Sequence, residues 1–196
     1  MKLFYAPQTR SPRAIWMLEE AGVEYELELV DIRGEDRQDS AEFLDASPMG
    51  KVPALIDGGT GMSESAAICL YVADRYAPGR LAPAIDDAAR GRFLYWLMYT
   101  PAVVEPAMSE RFNEVEPNKI RSGWGDFPTM IATWESALGG NDWIVGNEFS
   151  AADVMLGSSA VFMKTFEMLP DSATLSAYAD RCLARPAYRK ALELSG

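Results

Sequence analysis

The sequence predicts two domains, an α/β domain in the first third of the chain and an all-helical domain in the rest. Strand and helix patterns alternate as far as residue 76, whereas every periodic segment after residue 86 has helical spacing. Between them, residues 77–85 contain two prolines and a glycine, which break any helix. We therefore expect an α/β domain at 1–76, a linker at 77–85 and a helical domain at 86–196.

The first 31 residues have the pattern of one β-α-β unit. An apolar strand at 3–6 ends at Pro7, and Ser11 followed by Pro12 is typical of a helix N-cap with proline at the first helical position. Apolar side chains then recur at helical spacing until Gly22, and alternation at 25–31 predicts a second strand. The handedness rule for such crossovers makes the two strands parallel and adjacent.

Three more elements complete the predicted first domain. The polar stretch 33–47 is expected to hold at most a short helix at 41–44. Residues 52–56 form the next apolar strand, and Met62 begins a short return strand. From Glu64 onward, apolar residues at i, i+3, i+4 and i+8 predict an amphipathic helix.

Prolines and glycines delimit the first helices of the second domain. Residues 86–111 are helical, with Pro101 and Pro106 expected to kink or end the helix. Residues 114–125 are polar and contain glycine, so we expect a loop. Asp126 then caps a helix that ends at the glycine pair 139–140.

Three further helices are predicted towards the end of the chain. Ser150 and Asp153 open the first of them as a capping box. Apolar spacing from Leu175 predicts the next, and Pro186 starts a last short helix.

Composition narrows the possible functions. The 196 residues include 18 Lys+Arg and 29 Asp+Glu, which gives a formal net charge of -11. Such an acidic surface repels a phosphate backbone, so nucleic acid is not an expected partner. Histidine is absent, which excludes nucleophiles activated by histidine and metal sites that use histidine ligands.

Cysteine content and hydropathy predict a cytoplasmic protein. The two cysteines are too few for a disulfide scaffold or a zinc site built from cysteines alone. The first residues are too polar for a secretory signal, and no apolar run approaches the ~20 residues of a membrane-spanning helix. We therefore expect no membrane partner and reduced thiols.

Three segments of the first domain contain the candidate ligand-binding and catalytic residues. The first strand leads to Thr9 and Ser11 at the positive end of a helix, PMGKVPAL occupies 48–55, and SESAAI begins a helix at 63–68. FSAADV lies at 149–154 and RPAYRKAL at 185–192. The motifs follow one another in the order found in the protein family that the chain resembles. The chain resembles cytosolic glutathione transferases of bacterial type over essentially its whole length. The resemblance implies a thioredoxin-like N-terminal domain and an all-helical C-terminal domain.

The resemblance also implies which residues hold glutathione. Val52 pairs its backbone with the cysteinyl part of the ligand, as an added strand would, and Pro53 follows it in a cis peptide bond. Glu64 and Ser65 hold the ammonium and carboxylate of the γ-glutamyl group, Ser65 from a helix N-terminus. Lys51 reaches the glycyl carboxylate.

Each of these residues also has a purely structural interpretation. Ser65 is equally a helix N-cap, Glu64 a first-turn acid favoured by the helix dipole, and Pro53 a trans proline that starts an edge strand. The three motifs in order favour glutathione binding for Val52, Glu64 and Ser65. Lys51 stays open between a ligand contact and a solvated side chain.

Other prominent residues are predicted to be structural. Ser150 and Asp153 form a cap that contributes about 1 kcal/mol. Cys69 lies inside a helix and Cys182 on an apolar helical stripe, so both are expected to be small core residues. The resemblance places the protein cysteine of one bacterial branch at Arg10, so thiol–disulfide chemistry through a protein cysteine is not expected.

A stripe of aromatic and methionine side chains marks the start of the second domain: Tyr95, Trp96, Met98, Tyr99, Met108 and Phe112. Such stripes are usually core or subunit interface. By resemblance, the inner face of this helix also walls the pocket for a hydrophobic co-substrate, and Tyr99 and Phe112 are the candidates. Arg111 either steers an acidic co-substrate or pairs with Glu110.

The resemblance implies an enzyme that presents the thiolate of glutathione to a hydrophobic, electrophilic small molecule. Peroxide reduction, ether cleavage and isomerisation use the same thiolate in the family, and a binding or regulatory protein without turnover is the alternative. The expected partners are glutathione as substrate, the electrophile and a second copy of the chain in a homodimer, with no metal. Five Trp, eight Phe and eight Tyr are a large apolar load for two small domains, which favours the homodimer.

A hydroxyl group suffices to activate the thiol without histidine. Lowering a thiol pKa of ~8.5 by about two units requires roughly 2.7 kcal/mol. One hydrogen bond to a charged acceptor supplies ~1.5–3 kcal/mol, and a helix N-terminus adds ~0.3–1 kcal/mol. Tyr5, Thr9 and Ser11 are the candidate catalytic residues. We expect Ser11, which is nearest the helix dipole, to be the donor, followed by Thr9 and then Tyr5.

Overall fold

The computed structural model describes residues 1–34 and 37–196, which form two compact units. The first unit comprises Met1–Leu81 with Leu183–Gly196, and the second comprises Ala82–Cys182. Residues 35 and 36, part of the polar stretch predicted at 33–47, lie outside the described residues. No described helix is long and apolar enough to cross a membrane.

The described residues form four strands and nine α-helices. The strands are β1 (Lys2–Tyr5), β2 (Glu26–Leu29), β3 (Ala54–Asp57) and β4 (Thr60–Ser63). The helices are α1 (Ser11–Ala21), α2 (Ala41–Ala46), α3 (Ser65–Tyr76), α4 (Arg90–Tyr99), α5 (Glu105–Phe112), α6 (Phe127–Leu138), α7 (Ala151–Thr165), α8 (Ala173–Ala184) and α9 (Pro186–Ser195).

A mixed sheet with strand order β2-β1-β3-β4 forms the centre of the first unit. β1 and β2 are parallel, with Leu3 beside Leu27, which confirms the predicted β-α-β unit. β3 runs antiparallel to both β1 and β4. Leu3 and Phe4 on the central strand are fully buried. This sheet with its helices is the thioredoxin-like architecture expected from the sequence.

Local signals set the ends of the helices in the first unit. Gly22 ends α1 in the left-handed conformation at φ 70°, as predicted. Ser40 caps α2 by accepting a hydrogen bond from the Phe43 N–H. The predicted N-cap at Ser11 is wrong by one position, because Ser11 is the first residue of α1 and its hydroxyl accepts from the Ala6 N–H instead.

The last helix packs on the first. The Trp16 and Tyr188 rings stack with centroids 4.1 Å apart. The Arg185 guanidinium donates two hydrogen bonds to the Glu20 carboxylate, of 2.5 and 2.7 Å. These contacts place α9 in the first unit, although the sequence pattern groups it with the preceding helices.

The helices of the second unit follow the predicted caps. α4 continues through a π-helical turn at Thr100–Val104 into α5, which accommodates the missing N–H of Pro101 without ending the helix. Asp126 caps α6 by accepting from the Thr129 N–H at 2.8 Å, and Gly139 ends it in the left-handed conformation. The predicted capping box is also present at the start of α7.

Asp153 is a buried hydrogen-bond centre of the second unit. Its carboxylate accepts from the Ile144 N–H and the Tyr178 hydroxyl, both at 2.8 Å. It also accepts from the N–H and the hydroxyl of Ser150, both at 3.0 Å. Burial raises the pKa of Asp153 to about 6, although these hydrogen bonds favour the ionised form.

Asp153→Asn is expected to lower the free energy of unfolding by about 2–4 kcal/mol, because one carboxylate oxygen is replaced by a donor and buried donors lose their acceptor. The pKa of Asp153 is about 6 in the folded state and 3.8 without burial. The folded state therefore binds the Asp153 proton more tightly than the unfolded state does. The stability that this protonation adds is complete below pH 3.8 and is lost as the pH rises above about 6. The deficit of the variant should widen when urea unfolding is measured at about pH 5 instead of about pH 7.5.

Asp126→Asn is the matched control for this pH dependence. Hydrogen bonds from Lys119 and Thr129 lower the pKa of Asp126 to about 2. The contribution of the ionised carboxylate to the free energy of unfolding is therefore complete above pH 3.8. Its deficit should stay constant between about pH 5 and about pH 7.5. Equal pH dependence of the two variants would contradict the role assigned to burial at Asp153.

Candidate functional site

Three strand ends meet at one edge of the sheet in the first unit. Phe4, near the end of β1, pairs with Ala54 at the start of β3, and Ala54 pairs with Ser63 at the end of β4. The segments that continue from these pairs contain the predicted site residues of the first domain: 5–11, 51–53 and 64–65. α1 and α3 begin at the same edge. The N–H groups in the first turn of α3 lie there without a partner among the described residues, whereas in α1 the Ser11 N–H donates to the Thr9 hydroxyl and the Arg13 N–H to the Arg10 C=O.

Val52 presents an unpaired peptide backbone at this edge. The peptide bond between Val52 and Pro53 is cis. Neither the N–H nor the C=O of Val52 has a hydrogen-bond partner among the described residues. The Val52 side chain packs against a cluster that contains Phe4, Phe43 and Ala54, which anchors the residue to the sheet. Unpaired backbone of this kind at a sheet edge can add an extended peptide.

Two residues that sequence reasoning missed build the loop before Val52. Ser47 is fully buried, and its hydroxyl accepts from the Lys51 N–H at 2.9 Å and donates to the Lys51 C=O at 2.8 Å. Arg37 donates to the Gly50 C=O at 2.7 Å. The signal for Ser47 was its position directly before Pro48, since serine favours the first position of a turn. Arg37 gave no comparable signal.

Glu64 and Ser65 present polar groups at the start of α3. Glu64 adopts φ 72°, a backbone conformation that costs roughly 1–3 kcal/mol and is concentrated at binding sites. No described residue bonds to the Glu64 carboxylate or to the Ser65 hydroxyl, and no side chain caps α3. An uncapped helix N-terminus with a free hydroxyl can bind a carboxylate, and a free carboxylate can bind an ammonium group.

Thr9 and Ser11 form a closed hydrogen-bond network with the backbone of Ala6. The Thr9 hydroxyl donates to the Ala6 C=O at 2.7 Å and accepts from the Ser11 N–H at 3.1 Å. The Ser11 hydroxyl accepts from the Ala6 N–H at 3.2 Å and lies 2.8 Å from the Thr9 hydroxyl. Because a hydroxyl has one proton and Thr9 already uses its own, Ser11 is the donor in this pair.

This network changes the order of the candidate donors. Ser11, ranked first from the sequence, is fully buried and donates its proton inside the protein. Thr9 is half-buried. Tyr5 is also half-buried, and no described residue bonds to its hydroxyl. The Lys51 side chain is exposed.

The candidates for the hydrophobic co-substrate differ in exposure within the second unit. Tyr99 is buried and its hydroxyl donates to the Met130 C=O at 3.2 Å, and burial raises its pKa to about 12. Phe112 is 75% exposed. The Arg111 guanidinium lies over the Phe127 ring, 4.5 Å from its centroid.

Both cysteines are buried, as predicted. Cys69 lies in the middle of α3, where burial raises the pKa of its thiol to about 12 despite the opposing charge of Arg13. Within residues 1–34 and 37–196, no three histidine, cysteine or acidic side chains are grouped so that they could hold a metal ion.

Comparisons with known proteins show which family the chain resembles in sequence and fold. The family model described as "Glutathione S-transferase, N-terminal domain" matches residues 10–75. The glutathione S-transferase GstA of Escherichia coli O157:H7 is 27% identical over 205 residues, covering 100% of this chain and 99% of its own length. The glutathione S-transferase hmp2 of Hypomyces subiculosus is 31% identical over 175 residues, covering 83% of this chain and 82% of its own. A solved sphingomonad glutathione S-transferase complexed with glutathione is 31% identical, with a TM-score of 0.81 over 100% of this chain and 99% of its own.

Neither cysteine is expected to react in the folded protein, because both are buried and therefore inaccessible to a reagent. Titration with a chromogenic aromatic disulfide should detect almost no thiol in the native protein and both thiols after unfolding in guanidinium. The double variant Cys69→Ala, Cys182→Ala should retain glutathione transfer. A fast-reacting thiol in the native protein, or loss of transfer in a folded double variant, would show that a protein cysteine takes part.

Proposed function

The chain belongs to the glutathione S-transferase family, and we propose that the sheet edge described above is its glutathione site. The protein is a glutathione transferase. The observation that carries the proposal is the unpaired backbone of Val52 before a cis proline, at the edge where α1 and α3 begin. This arrangement suits a short anionic peptide, because it offers strand-like pairing and helix N-termini together.

Each part of glutathione has a matching group at this edge. The cysteinyl backbone pairs with the N–H and C=O of Val52, which are otherwise unpaired. The γ-glutamyl carboxylate binds the Ser65 hydroxyl and the first N–H groups of α3, while its ammonium pairs with the Glu64 carboxylate. The Lys51 side chain is exposed, and we assign its ammonium to the glycyl carboxylate. Pro53 contributes through the backbone that it fixes.

We assign the thiolate contact to Thr9, with Ser11 acting through it. When the thiolate binds, the Thr9 hydroxyl keeps its proton and turns its hydrogen bond from the Ala6 C=O to the sulfur, while Ser11 continues to donate to Thr9. The N-terminus of α1 adds its partial positive charge. A hydrogen bond to a charged acceptor supplies about 1.5–3 kcal/mol. Tyr5 is the second candidate, because its hydroxyl is free among the described residues.

In the proposed reaction, the glutathionyl group is transferred through its sulfur to a hydrophobic electrophile. The thiol proton leaves to solvent and the thiolate forms a bond to the electrophilic carbon. The electron pair of the broken bond leaves with the displaced group, or stays on the acceptor where the substrate adds without displacement. Of the two aromatic residues predicted for this substrate, Phe112 is exposed, whereas the Tyr99 ring and hydroxyl are used inside the second unit.

The pH profile of turnover identifies the thiolate donor. Thr9→Ala should raise the apparent pKa of bound glutathione by about one unit or more, because the charge-assisted hydrogen bond is lost. Ser11→Ala should raise this pKa by a smaller amount, because Thr9 remains. Tyr5→Phe should leave it unchanged, and a rise in Tyr5→Phe alone would move the role to Tyr5.

Binding variants are the control for these profiles. Glu64→Gln and Ser65→Ala should weaken glutathione binding in calorimetric titration without moving the apparent thiol pKa. Absence of any binding to the unaltered protein would overturn the proposed site, whereas binding without turnover on a panel of electrophiles would overturn the assigned chemistry.

We also propose that the protein is a cytoplasmic homodimer. Tyr95 and Met98 lie one turn apart on α4 and are 54% and 40% exposed, an apolar face that a second copy would cover. Both cysteines are buried and neither forms a disulfide, which suits a reducing compartment.

Light scattering at micromolar concentration should give a particle of twice 21.6 kDa. Met98→Glu should shift the equilibrium towards the monomer, because it buries a charge in the interface. Ile120→Glu is the matched control, since Ile120 is 97% exposed on a different segment and should leave the mass unchanged. A mass of 21.6 kDa for the unaltered protein would contradict the homodimer.

A further inference from the structure

We propose that Ser47 is a positioning residue for glutathione, whose hydroxyl fixes the direction of the Val52 amide N–H. The inference rests on the proposed function, because it concerns the backbone group that pairs with the cysteinyl part of the ligand. Ser47 itself is fully buried and does not touch glutathione. Its effect passes through the peptide group between Lys51 and Val52.

The peptide group between Lys51 and Val52 links the Ser47 hydroxyl to the direction of the Val52 N–H. The Ser47 hydroxyl donates to the Lys51 C=O at 2.8 Å. That carbonyl and the Val52 N–H belong to the same planar peptide unit and point in opposite directions, since only the following bond is cis. Holding the carbonyl towards buried Ser47 therefore turns the Val52 N–H away from the protein, where it has no partner among the described residues.

The preceding peptide group is held from both sides. Its N–H, on Lys51, donates to the same Ser47 hydroxyl at 2.9 Å. Its C=O, on Gly50, accepts from Arg37 at 2.7 Å. The Gly50 N–H in turn donates to the Ser47 C=O at 2.7 Å, which closes a tight turn with Gly50 at φ 61°. Three successive peptide groups therefore depend on Ser47, and the Val52 N–H is the first that is left free.

The position of Ser47 makes this support rigid. Ser47 follows directly after α2 as its C-cap. α2 buries Phe43 and Ala46 in the cluster that also receives the Val52 side chain. The hydroxyl and the residue that it orients are therefore anchored to the same part of the core. A peptide group oriented before the ligand arrives need not be ordered on binding, which favours affinity.

Ser47→Ala tests the proposal, with Ser40→Ala as its matched control. Both changes remove one serine hydroxyl from an end of α2. The Ser40 hydroxyl accepts from the Phe43 N–H, and among the described residues it has no bond to the loop before Val52. Glutathione affinity is measured by calorimetric titration and turnover at saturating glutathione. Amide hydrogen exchange at Val52 and Ser65 is followed by NMR with and without glutathione.

Ser47→Ala should raise the Kd for glutathione about tenfold, which corresponds to the loss of roughly one well-made hydrogen bond. Turnover at saturating glutathione should stay within about twofold, because the thiolate contacts at Thr9 are untouched. Glutathione should protect the Val52 amide from exchange in the unaltered protein and in Ser40→Ala, but not in Ser47→Ala. The Ser65 amide should be protected in all three.

Protection of Val52 in Ser47→Ala equal to that in the unaltered protein, or an unchanged Kd, would overturn the proposal. Absence of protection at both Val52 and Ser65 in the unaltered protein would instead overturn the proposed glutathione site. If Ser47→Ala does not fold, Arg37→Gln is tested in its place. The Arg37 side chain is partly exposed, and its replacement removes one hydrogen bond that supports the same loop. It should raise the Kd about threefold with turnover unchanged, and an unchanged Kd would overturn the proposal.

Discussion

The antiparallel pairing of β3 with β1 is the constraint on which the whole site depends. Because Phe4 pairs with Ala54, the residues before β3 lie beside the residues after β1. A parallel β3 would have carried Val52 and Pro53 to the opposite edge, away from the start of α1. The second antiparallel pair, between β3 and β4, brings Glu64 to the same edge by the same rule. Three loops that are distant in sequence therefore meet without any side-chain contact having to hold them together.

Sequence patterns were sufficient wherever the deciding interaction is local. Gly22, the Asp126 cap and the capping box at Ser150 act within one turn of their own helix, and all three were predicted at the right positions. The placement of α9 was missed because it depends on Trp16 and Tyr188, which no local pattern connects. The hydroxyl of Ser11 was assigned to its own helix for the same reason. Its actual donor is the amide of Ala6, beyond the reach of a capping rule.

A chain without histidine must activate a thiol with groups that do not titrate near neutral pH. Hydroxyls and backbone N–H groups remain protonated through that range, so the pH dependence of the reaction belongs to glutathione itself. The cost of this choice is that each hydroxyl has a single proton to donate. Thr9 and Ser11 use theirs inside the protein. In the proposed assignment, Thr9 must therefore exchange its bond to the Ala6 C=O for the bond to sulfur.

The net charge of -11 makes it necessary that the donor groups of the site are oriented before glutathione binds. Glutathione is anionic, and its thiolate form more so, so the field of the whole chain opposes its approach. In the proposed site, affinity then comes from short-range donors that are oriented before binding, namely the first turn of α3 and the Val52 N–H. Donors that had to be reoriented on binding would add an ordering cost to the electrostatic one. A buried serine that fixes the Val52 peptide is therefore more useful here than another surface cation, which the surrounding carboxylates and salt would screen.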